Sequence, residues 1–125
     1  MKKRVLIVDD EADIREAMAD YLEQNGYRVS QAADGAEGLE LAIKDKPDVI
    51  LLDLMMPVMD GHTMLDKLRQ DPWGRNAKVV IMSAMDDVTN IGSAYQTGIT
   101  EYIIKSNASL EELAKKVREV LFMTV

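Results

Sequence analysis

Short unbroken apolar runs recur along the chain, at 5–8, 49–52, 79–82 and 102–104. They are rich in valine and isoleucine and do not alternate with polar residues. Strands buried on both faces of a parallel sheet have this pattern, whereas a strand with one wet face alternates. A weaker run at 27–32 predicts a more exposed strand nearer an edge. Between the runs the apolar spacing changes to the three-and-four rhythm of helices. Ile14, Ala17, Met18, Tyr21 and Leu22 share one helical face, closed by Asn25-Gly26. Ala36, Leu39, Ala42 and Ile43 form a second stripe, ended by Lys46-Pro47. Met64, Leu65 and Leu68 form a third. Val88, Ile91, Ala94 and Tyr95 form a fourth, with Gly98 as its stop. Leu110, Leu113, Val117, Val120 and Leu121 form the last, opened by a capping box from Ser109 to Glu112.

Strand and helix therefore alternate five times. Right-handed crossovers turn such a chain into an α/β fold: a single (βα)5 unit, a doubly wound parallel five-stranded sheet with helices on both faces. No linker, repeat or low-complexity stretch interrupts it, so residues 1–125 are expected to form one domain.

Composition narrows the function classes. The formal net charge is −7, which argues against direct binding of a nucleic-acid backbone. Without cysteine there are no disulfides and no thiolate metal sites. The apolar run after Lys2-Lys3-Arg4 stops at Asp9-Asp10-Glu11, too soon for a signal peptide. No segment approaches the ~20 apolar residues of a membrane span. A soluble, cytoplasmic protein without a membrane partner is the expectation.

In open α/β sheets, sites form at the carboxyl ends of the strands. Polar residues interrupt the apolar runs at that end in four places: Asp9-Asp10, Asp53, Ser83 and Lys105. Three neighbouring carboxylates repel one another, and a hard divalent cation relieves the repulsion. Mg²⁺ takes oxygen ligands and keeps several waters, leaving positions for a phosphoryl oxygen. Lys105 adds a positive charge suited to phosphate, and Ser83 a hydroxyl donor. The set fits phosphoryl transfer to a carboxylate. The plainer reading of Asp10 is a helix cap, and of Asp53 a turn residue.

The motifs Leu6-Ile7-Val8-Asp9-Asp10-Glu11, Asp53 to Gly61 with Pro57, Met82-Ser83-Ala84 and Tyr102-Ile103-Ile104-Lys105 together resemble the receiver domain of bacterial two-component response regulators. The resemblance spans essentially the whole chain. It implies a flavodoxin-like strand order 2-1-3-4-5 and phosphorylation of Asp53 by a sensor histidine kinase or a phosphotransfer protein. Mg²⁺ would be held by Asp10, Asp53 and the Met55 backbone carbonyl, with Asp9 acting through a metal-bound water. Lys105 would pair with the phosphoryl group, Ser83 would hydrogen-bond it, and Tyr102 would be the aromatic switch. The chain would catalyse only its own phosphorylation and autodephosphorylation. The face of the fourth helix, fifth strand and fifth helix would then meet a downstream protein or output domain, or support a phosphorylation-dependent dimer. The family commonly places proline after the lysine, where this chain has Ser106. A cis bond before serine costs about 3 kcal/mol, so a trans bond is expected.

Rival readings have weaker support. An aspartyl phosphatase usually carries an acid two positions after its nucleophile, and Met55 stands there. A flavin-binding domain needs a Ser/Thr/Gly-rich phosphate loop after the first strand, where Asp9-Asp10-Glu11 would repel phosphate. A degenerate receiver that serves as an interaction module would lack acceptor residues this chain retains. Met55 and Met85 are candidates to restrict water access to Asp53, and His62 reads as a solvated residue at a helix start.

Overall fold

The computed structural model describes residues 2–56, 58–83, 92, 96, 98–105 and 109–122. Five strands, β1 (Arg4–Val8), β2 (Arg28–Ala32), β3 (Val49–Asp53), β4 (Val79–Ser83) and β5 (Glu101–Ile104), form one sheet. All pairings are parallel and the order is β2-β1-β3-β4-β5, as the alternation of elements and the resemblance imply. Helices α1 (Ala12–Gln24), α2 (Gly35–Asp45) and α3 (Gly61–Gln70) and a C-terminal helix (Leu110–Leu121) connect or cover the strands. The expected fourth helical stripe, Met85 and Ser106 lie outside the described residues.

The sheet separates two apolar layers. Val5, Ile7, Leu51, Val80 and Met82 pack against α1 and the C-terminal helix. Leu6, Val8, Ile50, Leu52 and Ile81 pack against α2 and α3. Period-two side-chain direction makes adjacent strand residues serve opposite layers, so every position of the central runs is apolar. β3 and β4 are buried along their whole length, including their terminal Asp53 and Ser83. β2, at one edge, is only half buried, as its weaker run implies.

Helix faces match the apolar spacing unevenly. In α3, Met64, Leu65 and Leu68 are all buried. In α1 the buried residues are Met18, Ala19 and Leu22, while Ile14 and Ala17 face solvent. In α2 the buried stripe runs Gly35, Gly38 and Ala42, and Ile43 is exposed. A Cβ on Gly38 would sit 2.8 Å from Val8 Cγ2, so the missing side chain is what lets α2 lie against β1. Ser109 caps the C-terminal helix by accepting from the Glu112 backbone N–H at 3.1 Å.

Arg69 ties the last turn of α3 to the approach to β5. Its guanidinium donates to the carbonyls of Gly98 (2.6 Å), Gly74 (2.7 Å) and Ala77 (2.8 Å). Its burial lowers its pKa from the ordinary value. Arg69→Met is expected to take the guanidinium from these carbonyls, of which Gly74 keeps the Ala77 N–H, and to lower stability by roughly 2–3 kcal/mol, read by denaturant unfolding. Arg69→Lys recovers little of this, because a single ammonium cannot span three carbonyls in the geometry of a guanidinium fork.

Candidate metal centre at the carboxyl end of the sheet

Among the described residues, the buried polar or charged ones are Asp9, Asp53 and Ser83. All three stand at the same end of the sheet. Burying them together costs solvation, so their environment should hold the compensation.

Asp9 continues β1 by donating its backbone N–H to the Ala32 carbonyl at 3.1 Å. Its Oδ1 accepts the Glu11 N–H at 2.9 Å, and Arg15 binds its carbonyl at 2.8 Å. Asp10 is exposed, and α1 begins after Glu11, whose side chain makes no cap hydrogen bond. The plainer reading of Asp10 as the cap of the first helix is therefore not what the chain does. Asp53 ends the central strand, and its Oδ1 accepts the Met55 N–H at 3.1 Å. Met55 itself is exposed.

The chain returns from Asp53 to α3 in a tight loop closed by the Gly61 N–H on the Leu54 carbonyl at 3.0 Å. A Cβ on Gly61 would stand 2.6 Å from the Asp53 carbonyl oxygen and 2.7 Å from Leu54 Cα. Both are backbone atoms that cannot swing aside. Gly61→Ala is expected to cost about 1–3 kcal/mol, as overpacking does. It also shifts the backbone under Asp53, so thermal unfolding and Mg²⁺ affinity should fall together.

Lys105 enters from the far side. Its backbone N–H donates to the Ser83 carbonyl at 2.8 Å, extending the β4–β5 ladder by one residue. Its Nζ lies 2.8 Å from Asp9 Oδ2, 2.9 Å from Glu11 Oε1 and 3.3 Å from Asp53 Oδ2. Burial disfavours its charge, but the hydrogen bonds it donates to Asp9 and Glu11, together with the negative charges of Asp53 and Asp9, outweigh that and raise its pKa. Asp53 receives the longest of the three contacts. Burial dominates there and pushes its carboxyl from 3.8 up to about 6, against the pull of Lys105 and the Met55 N–H.

Carboxylate oxygens of Asp9, Asp10, Glu11 and Asp53 lie within 4.8 Å of one another. Among the described residues one ammonium stands against this group of four carboxylates, so negative charge remains in excess. A donor set of oxygens alone, partly open to water through Asp10 and Glu11, suits a hard divalent cation. These residues fit Mg²⁺. Ser83 is buried at the end of the neighbouring strand β4, while Tyr102 on β5 is exposed.

The sequence profile of the response regulator receiver domain matches residues 5–118. The chain belongs to this family. Over 96% of this receiver chain and 99% of its counterpart, it superposes on chemotaxis protein CheY4 of Vibrio cholerae, with a TM-score of 0.89 and 30% identity. The receiver domain of the Francisella response regulator 1452 gives a TM-score of 0.85 at 33% identity, covering 96% and 97% of the two chains. Among curated proteins, the response regulator MprA of Mycobacterium ulcerans is 37% identical over 99% of this chain and 52% of its own length. The DNA-binding dual master transcriptional regulator RpaA of Synechocystis is 36% identical over 97% of this chain and 50% of its own. The chain spans about half the length of these curated relatives. Phosphorylation-dependent signalling in two-component systems is the function of the family.

Asp9, Asp10 and Asp53 come together with Lys105 at the carboxyl end of the sheet, and Ser83 ends β4, the strand between those of Asp53 and Lys105. Sequence reasoning passed over Glu11. Its place directly after Asp9-Asp10 was the available signal, but only the turn into α1 reveals that its carboxylate reaches Lys105. His62 departs from expectation in another way: its Nε2 is buried without a hydrogen-bond partner among the described residues, where a solvated ring was expected.

Proposed function

We propose that this chain is one working receiver domain that accepts a phosphoryl group on Asp53, with Mg²⁺, from a phosphohistidine of a sensor kinase or phosphotransfer protein. The observation that carries the reading is the Lys105 ammonium set over Asp9, Glu11 and Asp53 at the end of the central strand. Asp10, Asp53 and the Met55 carbonyl would hold the cation, with Asp9 behind a bound water. Bound there, Mg²⁺ supplies charge neutralisation for the incoming phosphoryl oxygens.

A carboxylate oxygen of Asp53 attacks phosphorus, the donor's P–N bond breaks, and the nitrogen leaves with the bonding pair. Asp53 must be ionised to attack, and with its carboxyl at about 6 it is mostly so at neutral pH. Lys105 Nζ, already 3.3 Å from Asp53 Oδ2, is placed to pair with a phosphoryl group carried on that side chain. The buried Ser83 hydroxyl supplies a neighbouring donor, and its movement would draw the exposed Tyr102 inward. Phosphorylation then shifts a pre-existing equilibrium of the surface around β5. That surface would meet a downstream protein or output domain, or a second phosphorylated copy. The chain turns over no separate substrate, and only its own phosphorylation and dephosphorylation are catalysed. No described helix is long and apolar enough to cross a membrane, and a cytoplasmic kinase partner suits this.

The test is incubation with acetyl phosphate, with and without Mg²⁺, followed by intact-mass measurement. The mass of one phosphoryl group should appear with Mg²⁺ and not without it. An unchanged mass in Mg²⁺ would defeat the reading.

A further inference from the structure

Three anions share the Lys105 ammonium unequally. The two shorter contacts, to Asp9 and Glu11, come from one loop, and the longer one goes to the acceptor Asp53. Asp9 is enclosed, with its other oxygen committed to the Glu11 N–H. The Glu11 side chain is 55% exposed, while that of Lys105 is 17% exposed. Glu11 thus lies at the mouth of the pocket, and its backbone N–H braces Asp9 while its carboxylate holds the lysine. At the N-cap position of α1 it makes no side-chain cap hydrogen bond, so its carboxylate is committed to Lys105 rather than to the helix.

A cation entering among Asp9, Asp10 and Asp53 repels the ammonium that now neutralises two of them. Displaced into water, Lys105 would lose every partner. Displaced toward Glu11, it keeps one.

We propose that Glu11 is a positioning residue for Lys105: it retains the ammonium at the pocket mouth when a divalent cation enters among Asp9, Asp10 and Asp53. The inference rests on the receiver reading of the site. Glu11 helps the cation twice, by its own charge and by lowering the cost of moving Lys105 aside. The second contribution exists only while Lys105 is present, and this separates positioning from simple addition of negative charge.

The experiment is Mg²⁺ titration by calorimetry of the wild type, Glu11→Gln, Lys105→Met and the double variant. Glu11→Gln keeps the side-chain shape and removes no cap. It should weaken Mg²⁺ binding about two- to fivefold, the scale of one partly exposed ion pair. In the Lys105→Met background the same substitution should have clearly less effect, because no ammonium needs holding. Glu11→Ala should reproduce the pattern. Unchanged affinity in Glu11→Gln, or an equal or greater loss in the Lys105→Met background, would overturn the proposal. Absence of Mg²⁺ binding by the wild type would instead overturn the receiver reading beneath it.

Discussion

Replacing Asp53 by asparagine is expected to stabilise the Mg²⁺-free protein at neutral pH while removing its capacity to be phosphorylated. The Asp53 carboxyl is raised from 3.8 to about 6 in the folded chain, mainly by burial. A raised folded pKa means that the folded state binds the proton more tightly than the unfolded state. The stability this group contributes is therefore fully present below about pH 4 and is lost as pH rises through about 6. Above that pH the cost is on the order of 3 kcal/mol relative to a neutral side chain. Asparagine keeps the shape without the charge. Urea unfolding of the two proteins should give similar midpoints near pH 4 and a higher midpoint for Asp53→Asn at neutral pH. Saturating Mg²⁺ should narrow or reverse the difference, because a bound cation favours the ionised carboxylate and has less to bind in the variant.

Removing Lys105 should act in the opposite sense. Lys105→Met leaves the enclosed Asp9 and the nearly enclosed Asp53 without their shared cation. Breaking a buried pair by deleting one partner typically costs more than the pair itself contributes, here about 3 kcal/mol at neutral pH without Mg²⁺. The loss should lessen toward pH 4, below the raised pKa of the Asp53 carboxyl, and should largely disappear when Mg²⁺ replaces the ammonium. Mg²⁺ should bind Lys105→Met more tightly than the wild type, since no ammonium has to be displaced. Phosphorylation of Asp53 should nonetheless slow, because the ammonium proposed to pair with the phosphoryl group is gone. A variant that is destabilised equally at all pH values and unaffected by Mg²⁺ would point to lost packing of the lysine stem rather than to lost charge.

The parts of this arrangement that could be read from the sequence are those in which burial leaves a one-dimensional trace. Strands enclosed on both faces must be apolar at every position, so β1, β3 and β4 are legible as unbroken runs. A carboxylate ending such a run stands out, and hence Asp9, Asp53 and their neighbours were legible too. The buried stripe of α2 was not, because it is built on Gly35 and Gly38, which add no apolar signal and act through closeness of approach. The buried face of α1 is turned from its apolar spacing, with Ile14 and Ala17 facing solvent and Ala19 buried, since the rotation of a helix about its axis is set by the sheet beneath it. Arg69 gave no signal at all: its partners are backbone carbonyls, which every residue possesses. Glu11 was visible but without meaning until the turn between β1 and α1 brought it to Lys105.

The electrostatic balance of the pocket also explains why a single substitution there should change stability, cation affinity and chemistry together. Burial makes Asp53 reluctant to ionise, the lysine offsets part of that reluctance, and a bound cation would offset the rest. The pocket is least stable when empty and ionised, so it favours the bound state.

Asp53 is the residue proposed to carry the phosphoryl group. The most direct measurement is borohydride reduction of the protein after reaction with acetyl phosphate and Mg²⁺, followed by peptide mass mapping. Reduction converts an acyl phosphate to an alcohol and so marks its position permanently. The mark should fall on the peptide containing Asp53 and at that residue. A mark at Asp9, Asp10 or elsewhere, or none on a protein shown to bind Mg²⁺, would contradict the account.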